Sequence, residues 1–320
     1  MIEFTPENIQ KWAKIGIKKV AYVPAAEICQ THENAVFLSA DVGRRFDLDR
    51  LPAGRYIDVG ISEQAMIGIA AGLAAEGYRP FVAAYSPFVT ARVLDFVRIF
   101  CGDMRMPLVI AGADAGLSAA DLGPALTSLS DIADMRAVPH MAVVEPADCA
   151  EAVKAFLAAA DWDGPVFLRL VGGPNQAVVH ESDFTFEIGK ARVEREGADT
   201  AIVAAGAMVH ASLRAAELLE QRGVSCRVLN MHTVKPLDTA ALDALVSFPC
   251  IATCEEHSVL GGLGGAVAEY YAAKRVRPRQ LLLGVPDTFY AADTRRNVLG
   301  RAGLSAEQIA ERVLKFLREE

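Results

Sequence analysis

The chain has 320 residues, 52% of them hydrophobic and 22% charged, the balance of a folded globular protein and not of a disordered one. Its net charge of −8 comes without any basic run, which argues against nucleic acid and anionic membrane surfaces as partners. The length exceeds what one core usually supports, so two domains are expected.

The opening stretch, Met1 to Gln10, lacks a charged-then-apolar leader pattern, and no apolar run approaches a membrane span. From Val36 onward, short β-rich apolar runs alternate with helical stretches, the signature of an α/β fold with mainly parallel sheets. Val36 to Ser39 and Tyr56 to Val59 read as strands, and a small-residue helix opens at Glu63 and runs to Glu76. A strand follows at Phe81 to Ala84, then a helix from about Pro87 to Phe100. Strands at Leu108 to Ala111, Met141 to Val144 and Val166 to Leu170 complete the first unit, with a helix over Ala147 to Ala160 preceded by proline. Val171-Gly172-Gly173-Pro174-Asn175 breaks the pattern, and the polar stretch to about Gly197 reads as the connection between domains.

The second unit has expected strands at Thr200 to Ala204, Ser225 to Leu229, Cys250 to Cys254 and Gln280 to Leu283. Its expected helices are Val209 to Arg222, Thr239 to Val246, Gly265 to Lys274 and a terminal one from Ser305 to Leu317, where Ser305 and Gln308 fit a capping box. Two doubly wound α/β domains result, with expected bounds 1–186 and 187–320. The six cysteines (Cys29, Cys101, Cys149, Cys226, Cys250, Cys254) form no CxxC pair. Cys250 and Cys254 share a strand face but lack further ligands for a metal, so buried, reduced thiols in a cytoplasmic protein are expected.

The residue that stands out is Glu63, in Arg55-Tyr56-Ile57-Asp58-Val59-Gly60-Ile61-Ser62-Glu63-Gln64. Burial in apolar company disfavours its charged form, whereas the helix N-terminus favours the anion. A carboxyl group held between those pulls suits proton exchange with a bound heterocycle.

This stretch resembles the pyrimidine-binding domain of transketolase-type thiamine diphosphate enzymes. The resemblance extends from about Ala35 to about Phe316, through Phe81 to Phe88, Gly112 to Ser118, Asp131 to Pro139, Glu145-Pro146-Ala147-Asp148 and Glu255-Glu256-His257. It is closest to the C-terminal subunit of split transketolases, and implies a pyrimidine-binding domain over 1–186 and a transketolase C-terminal-like domain over 187–320. It implies that Glu63 hydrogen-bonds the aminopyrimidine ring and promotes the tautomer that deprotonates the thiazolium C2. Phe88 matches the aromatic residue that packs on that ring. The family's further aromatics are replaced by Ala91 and Leu94. Asp41 and Val42 match the segment at the cofactor's middle, where a bulky aliphatic residue wedges the two rings into a bent arrangement.

The substrate end departs from the family pattern. The matching positions are Asp114, Leu122 and Leu126, where the family has polar contacts to sugar hydroxyls and phosphate. Arg169 matches an arginine that grips a substrate phosphate, with a salt bridge as its other reading. The Gly-Asp-Gly segment and asparagine that hold Mg²⁺ and the diphosphate are not found in the sequence, so an N-terminal-type partner subunit is expected to supply them, two copies of each chain forming a heterotetramer. Gly261 to Gly265 looks like a phosphate loop but lacks its lysine, and reads as close packing. His257 reads as structural. The resemblance thus implies transfer of a ketol or acyl-anion unit between carbonyl compounds. Two rivals stand beside it: the β subunit of a 2-oxoacid dehydrogenase decarboxylase, and a non-catalytic, cofactor-binding or regulatory subunit.

Overall fold

The computed structural model describes residues 2–319. Its strands are β1 (Ala35–Ser39), β2 (Tyr56–Asp58), β3 (Arg79–Tyr85), β4 (Val109–Ala113), β5 (Ala142–Val144), β6 (Val166–Arg169), β7 (Arg192–Arg195), β8 (Thr200–Ala204), β9 (Cys226–Asn230), β10 (Thr233–Lys235), β11 (Cys250–Ser258) and β12 (Arg279–Val285). They form a seven-stranded sheet, β10-β5-β6-β4-β3-β1-β2, and a five-stranded sheet, β12-β11-β8-β9-β7. All pairings are parallel except those of the edge strands β10 and β7. The fold is α/β with two sheets, as the alternation of strands and helices predicts.

The central strands are apolar runs buried along their whole length, as parallel strands covered on both faces must be. Phe37 stacks on Phe81 across β1 and β3 at 4.7 Å. Asp148 caps the helix Cys149–Asp161 by accepting from the Glu151 amide at 2.8 Å. The capping box at Ser305 and Gln308 is present, starting the helix Ala306–Arg318. All six cysteines are buried and unpaired. Among the described residues, no helix is long and apolar enough to cross a membrane.

Three differences from the sequence expectation bear on the site. The helix expected from Pro87 to Phe100 is broken into Ser86–Val89, a 3-10 turn at Ala91–Val93, Leu94–Val97 and a π-helical stretch at Arg98–Asp103. At the first break the Thr90 hydroxyl donates to the Ser86 carbonyl at 2.7 Å, a side-chain bond that competes with regular helix. The segment read as a connection contains β7, an antiparallel edge strand. Finally, β10 leaves the second sheet's neighbourhood three residues after β9 and pairs with β5, so chain from the second half seals one edge of the first sheet. The first 31 residues also hold helices that the sequence reading left unassigned, beginning with Pro6–Ile15, capped by Thr5 and burying Ile9 and Trp12.

Candidate active site

In the seven-stranded sheet, β2 lies on one side of β1 while β3, β4, β6 and β5 lie on the other. The reversal of order between β1 and β3 leaves a crevice beyond their C-terminal ends, the usual ligand position in open α/β sheets. Asp41 follows β1, Glu63 follows β2, Phe88 follows β3, Asp114 follows β4, and Arg169 ends β6. Parallel pairing therefore brings five sequence-distant candidates to one end of the sheet.

Asp58 organises the floor of this end. Its Oδ1 accepts from the amides of Asp41 (3.0 Å) and Gly60 (2.9 Å), and its Oδ2 from the Tyr56 hydroxyl (2.9 Å). Burial pushes the Asp58 carboxyl up, but these hydrogen bonds outweigh it and hold it below the usual range. Asp41 is exposed, with a left-handed backbone at φ 58°. Val42, next in the chain, is buried and packs with the main core.

Glu63 is 5% exposed, at the first position of the helix Glu63–Ala75. Its Oε2 accepts from Arg92 Nη1 at 3.3 Å. The Arg92 guanidinium carbon lies 3.7 Å from the centroid of the Phe88 ring, and Phe88 meets Tyr85 edge-on at 6.0 Å. Arg45 in turn lies over Tyr85 at 5.4 Å. Arg92, Tyr85, Arg45 and Asp58 were missed in the sequence. Arg92 had one signal, its position four residues after Phe88, and the broken helix hides that spacing.

Asp114 is buried, at φ 51°, and its carboxylate is paired with Lys18 at 2.8 Å. Leu122 is exposed and Leu126 half-buried on the loop beyond. A cleft of about 470 Å³ opens beside Pro87 and Ala91, walled by Pro124, Ala125 and Ser128 and by Pro286 to Phe289 of the second domain. A larger cleft, about 580 Å³, lies away from Glu63, between Gly172–Ala177 and the helix Met208–Glu220; its Arg295 is already paired with Glu256.

Arg169 differs from the expected phosphate contact and takes its other reading, a salt bridge. It is fully buried, and every guanidinium nitrogen is engaged: Nε with Asp131 (2.9 Å), Nη1 with Glu145 (2.8 Å), and Nη2 with the carbonyls of Ser128 (3.1 Å) and Glu256 (2.9 Å). Fully buried and held at all three nitrogens, the Arg169 side chain is out of reach of a substrate phosphate. The Glu256 carboxylate accepts from the Leu117 amide and pairs with Arg295, so this polar cluster ties the two domains together. His257 is fully buried beside it; its Nε2 accepts from the Ala133 amide and its Nδ1 faces the Ser258 carbonyl at 2.8 Å, which fixes the neutral tautomer with the proton on Nδ1. Burial lowers His257 to about 4, in keeping with that state. The glycine-rich turn before the helix Leu263–Ala272 encloses the Glu255 carboxylate, which accepts from the amides of Leu263 (2.7 Å) and Gly264 (2.8 Å). A side chain at Gly262 would collide with that carboxylate, so the glycines serve close packing and the helix already has its own anion.

The residues present suit the pyrimidine half of a thiamine cofactor. A buried acid stands beside an aromatic face, and the cationic, planar Arg92 head already fits between the two. Among the described residues no cluster of three or more His, Cys, Asp or Glu side chains could hold a metal ion.

Comparison with known proteins agrees with this geometry. Residues 16–172 match the family model "Transketolase, pyrimidine binding domain" and residues 189–309 match "Transketolase, C-terminal domain". A putative transketolase C-terminal section from Methanocaldococcus jannaschii is 32% identical over 309 residues, covering 95% of this chain and 97% of the relative. The 6-deoxy-6-sulfo-D-fructose transketolase subunit SqwH of Clostridium sp. (strain MSTE9) is 38% identical, covering 88% of each chain. A 1-deoxy-D-xylulose-5-phosphate synthase from Synechococcus sp. (strain CC9605) is 35% identical over 90% of this chain but only 46% of its own length. Among solved structures, a split gene transketolase described as an inactive beta4 tetramer superposes with a TM-score of 0.84 at 32% identity, over 95% of this chain and 98% of the other. The chain belongs to the transketolase family. Membership implies use of thiamine diphosphate.

Proposed function

We propose that this chain is the C-terminal-type subunit of a split, thiamine diphosphate-dependent transferase, active only with an N-terminal-type partner. The observation that carries this reading is Glu63, a buried carboxylate at a helix start beside Phe88, at the switch point of the sheet. Thiamine diphosphate, when bound, supplies the carbanion sink for transfer of a ketol or acyl-anion unit. The chain's own contributions would be orientation and proton handling: Glu63 would share a hydrogen-bonded proton with the aminopyrimidine, and Phe88 and Asp41 would help to hold the cofactor. Mg²⁺ and the diphosphate fall to the partner.

The need for a partner is supported by the helix Glu63–Ala75. Ile69 is 43% exposed, Ile61 just before the helix is 76% exposed, and the Cα positions of Gly68 and Gly72 face open space. An apolar, small-residue face of this kind beside the site is suited to close approach of another chain. Two copies of each subunit are proposed, since a symmetric pairing would complete two equivalent sites.

For substrate, the exposed Leu122, the half-buried Leu126 and the internally paired Asp114 offer little to sugar hydroxyls. A less hydroxylated acceptor is favoured, because a buried hydroxyl facing leucine would be left unpaired. The test is turnover by the reconstituted pair with xylulose 5-phosphate and ribose 5-phosphate, set against less polar ketones and aldehydes. Preference for the apolar set is expected. Efficient use of the sugar phosphates with no gain for the others would overturn the substrate assignment.

A further inference from the structure

The two contacts that the cofactor reading assigns to the aminopyrimidine are already made within this chain, by one side chain. A planar cationic group donates a hydrogen bond to Glu63 Oε2 at 3.3 Å and lies over the Phe88 ring at 3.7 Å. That group is the Arg92 guanidinium, which has the shape and polarity of a small protonated aminoheterocycle: flat, π-delocalised and edged with N–H donors. We propose that Arg92 is a placeholder in the pyrimidine seat, occupying Glu63 and Phe88 until the cofactor displaces it. The proposal rests on the assignment of Glu63 and Phe88 to the cofactor.

Two physical arguments support it. Glu63 is almost fully buried, and a buried carboxylate without a partner is costly, so an empty seat would destabilise the free subunit. Arg92 removes that cost. Its side chain is also 43% exposed, whereas Glu63's is only 6% exposed. The placeholder therefore has a route out to water, and the carboxylate stays where it is. A long, flexible side chain on a broken helical segment can withdraw without disturbing β3, while Phe88 remains anchored by its edge contact with Tyr85. The consequence is competition: the cofactor binds only the fraction of molecules in which Arg92 has left, which weakens its apparent affinity in proportion.

The test compares the assembled two-subunit enzyme carrying wild-type chain, Arg92→Ala or Arg92→Lys, titrated with thiamine diphosphate at saturating Mg²⁺ in a calorimeter. The alanine variant is expected to bind roughly five- to thirtyfold more tightly than wild type, the range that loss of a competing cation–π contact and hydrogen bond allows. The lysine variant, which keeps the charge but not the flat stacking surface, should fall between them. Arg92 is largely outside the core, and an unchanged circular dichroism spectrum with a single cooperative melt checks that the variants fold; the melt of Arg92→Ala is expected somewhat lower, because Glu63 loses its counter-charge. Equal or weaker binding by Arg92→Ala would overturn the placeholder and leave the cofactor reading standing. No binding by any of the three assembled proteins would overturn the cofactor reading, and the placeholder with it.

Discussion

At the scale of single residues, Glu63 and Arg169 show how far a carboxylate or a guanidinium can be judged from its sequence neighbours. An acid in the first turn of a helix is common, so Glu63 stands out in the sequence only through the family resemblance of the residues around it; the fold buries it at the head of its helix. Arg169 was misread because a charged residue ending a buried strand suggests an anion contact. Its real partners, Asp131 and Glu145, are 38 and 24 residues away in sequence and converge on it only in the fold. The two residues predict different phenotypes. Glu63→Gln should leave the melting temperature of the chain nearly unchanged while lowering turnover of the assembled enzyme by about 10²–10⁴, the usual worth of a positioned acid–base group. Exchange of the cofactor C2 hydrogen should slow in parallel, and unchanged exchange would mean that another carboxylate does this work. Arg169→Met should instead destabilise the free chain by roughly 3–5 kcal/mol, because Asp131 and Glu145 lose their buried counter-charge. Denaturant unfolding of the isolated chain measures this, and a variant as stable as the parent with only a raised KM would restore the phosphate contact.

At the scale of elements, the helix Glu63–Ala75 carries two jobs on two faces. Met66, Ile67 and Ala70 are buried against the sheet, while Gly68, Ile69 and Gly72 look outward. Gly68→Arg should therefore cost the isolated chain nothing, and the gain in helix propensity should offset any local disturbance. Binding to the N-terminal-type partner should be lost, which co-elution on a sizing column would report. Unimpaired co-elution would move the interface elsewhere. The strands of this level were largely legible, because apolar β-rich runs separated by helical stretches leave little freedom. The segment after Phe88 was not: it is broken at several points, the first accompanied by the Thr90 hydroxyl turning back to the Ser86 carbonyl, a local bond that the apolar pattern does not reveal. The edge strands β7 and β10 were also hidden. Arg192–Arg195 is polar on an exposed edge, and Thr233–Lys235 is too short to give a pattern of its own.

At the scale of the molecule, two polar clusters join the halves. One is the Arg169 cluster. The other centres on His180 in the connecting segment, whose Nε2 lies 3.1 Å from Glu194 and whose Nδ1 lies 3.4 Å from Asp148. Burial alone would lower His180, but Asp148, Glu194 and Glu151 outweigh it and raise it from 6.5 to about 10. The folded chain thus keeps a proton that the unfolded chain loses above pH 6.5. Its contribution is fully present below that pH and is lost as pH rises to about 10. The melting temperature should fall across this window, and His180→Gln should flatten the slope; an equally steep slope in the variant would place the titrating group elsewhere.

The central claim is that this chain holds half of a thiamine diphosphate site and that a partner holds the rest. The direct measurement is calorimetric titration of thiamine diphosphate with Mg²⁺ into the isolated chain and into the chain with its N-terminal-type partner. Little heat is expected from the chain alone, and Mg²⁺-dependent binding at one site per chain from the pair. Tight, Mg²⁺-dependent binding by the isolated chain would contradict the account.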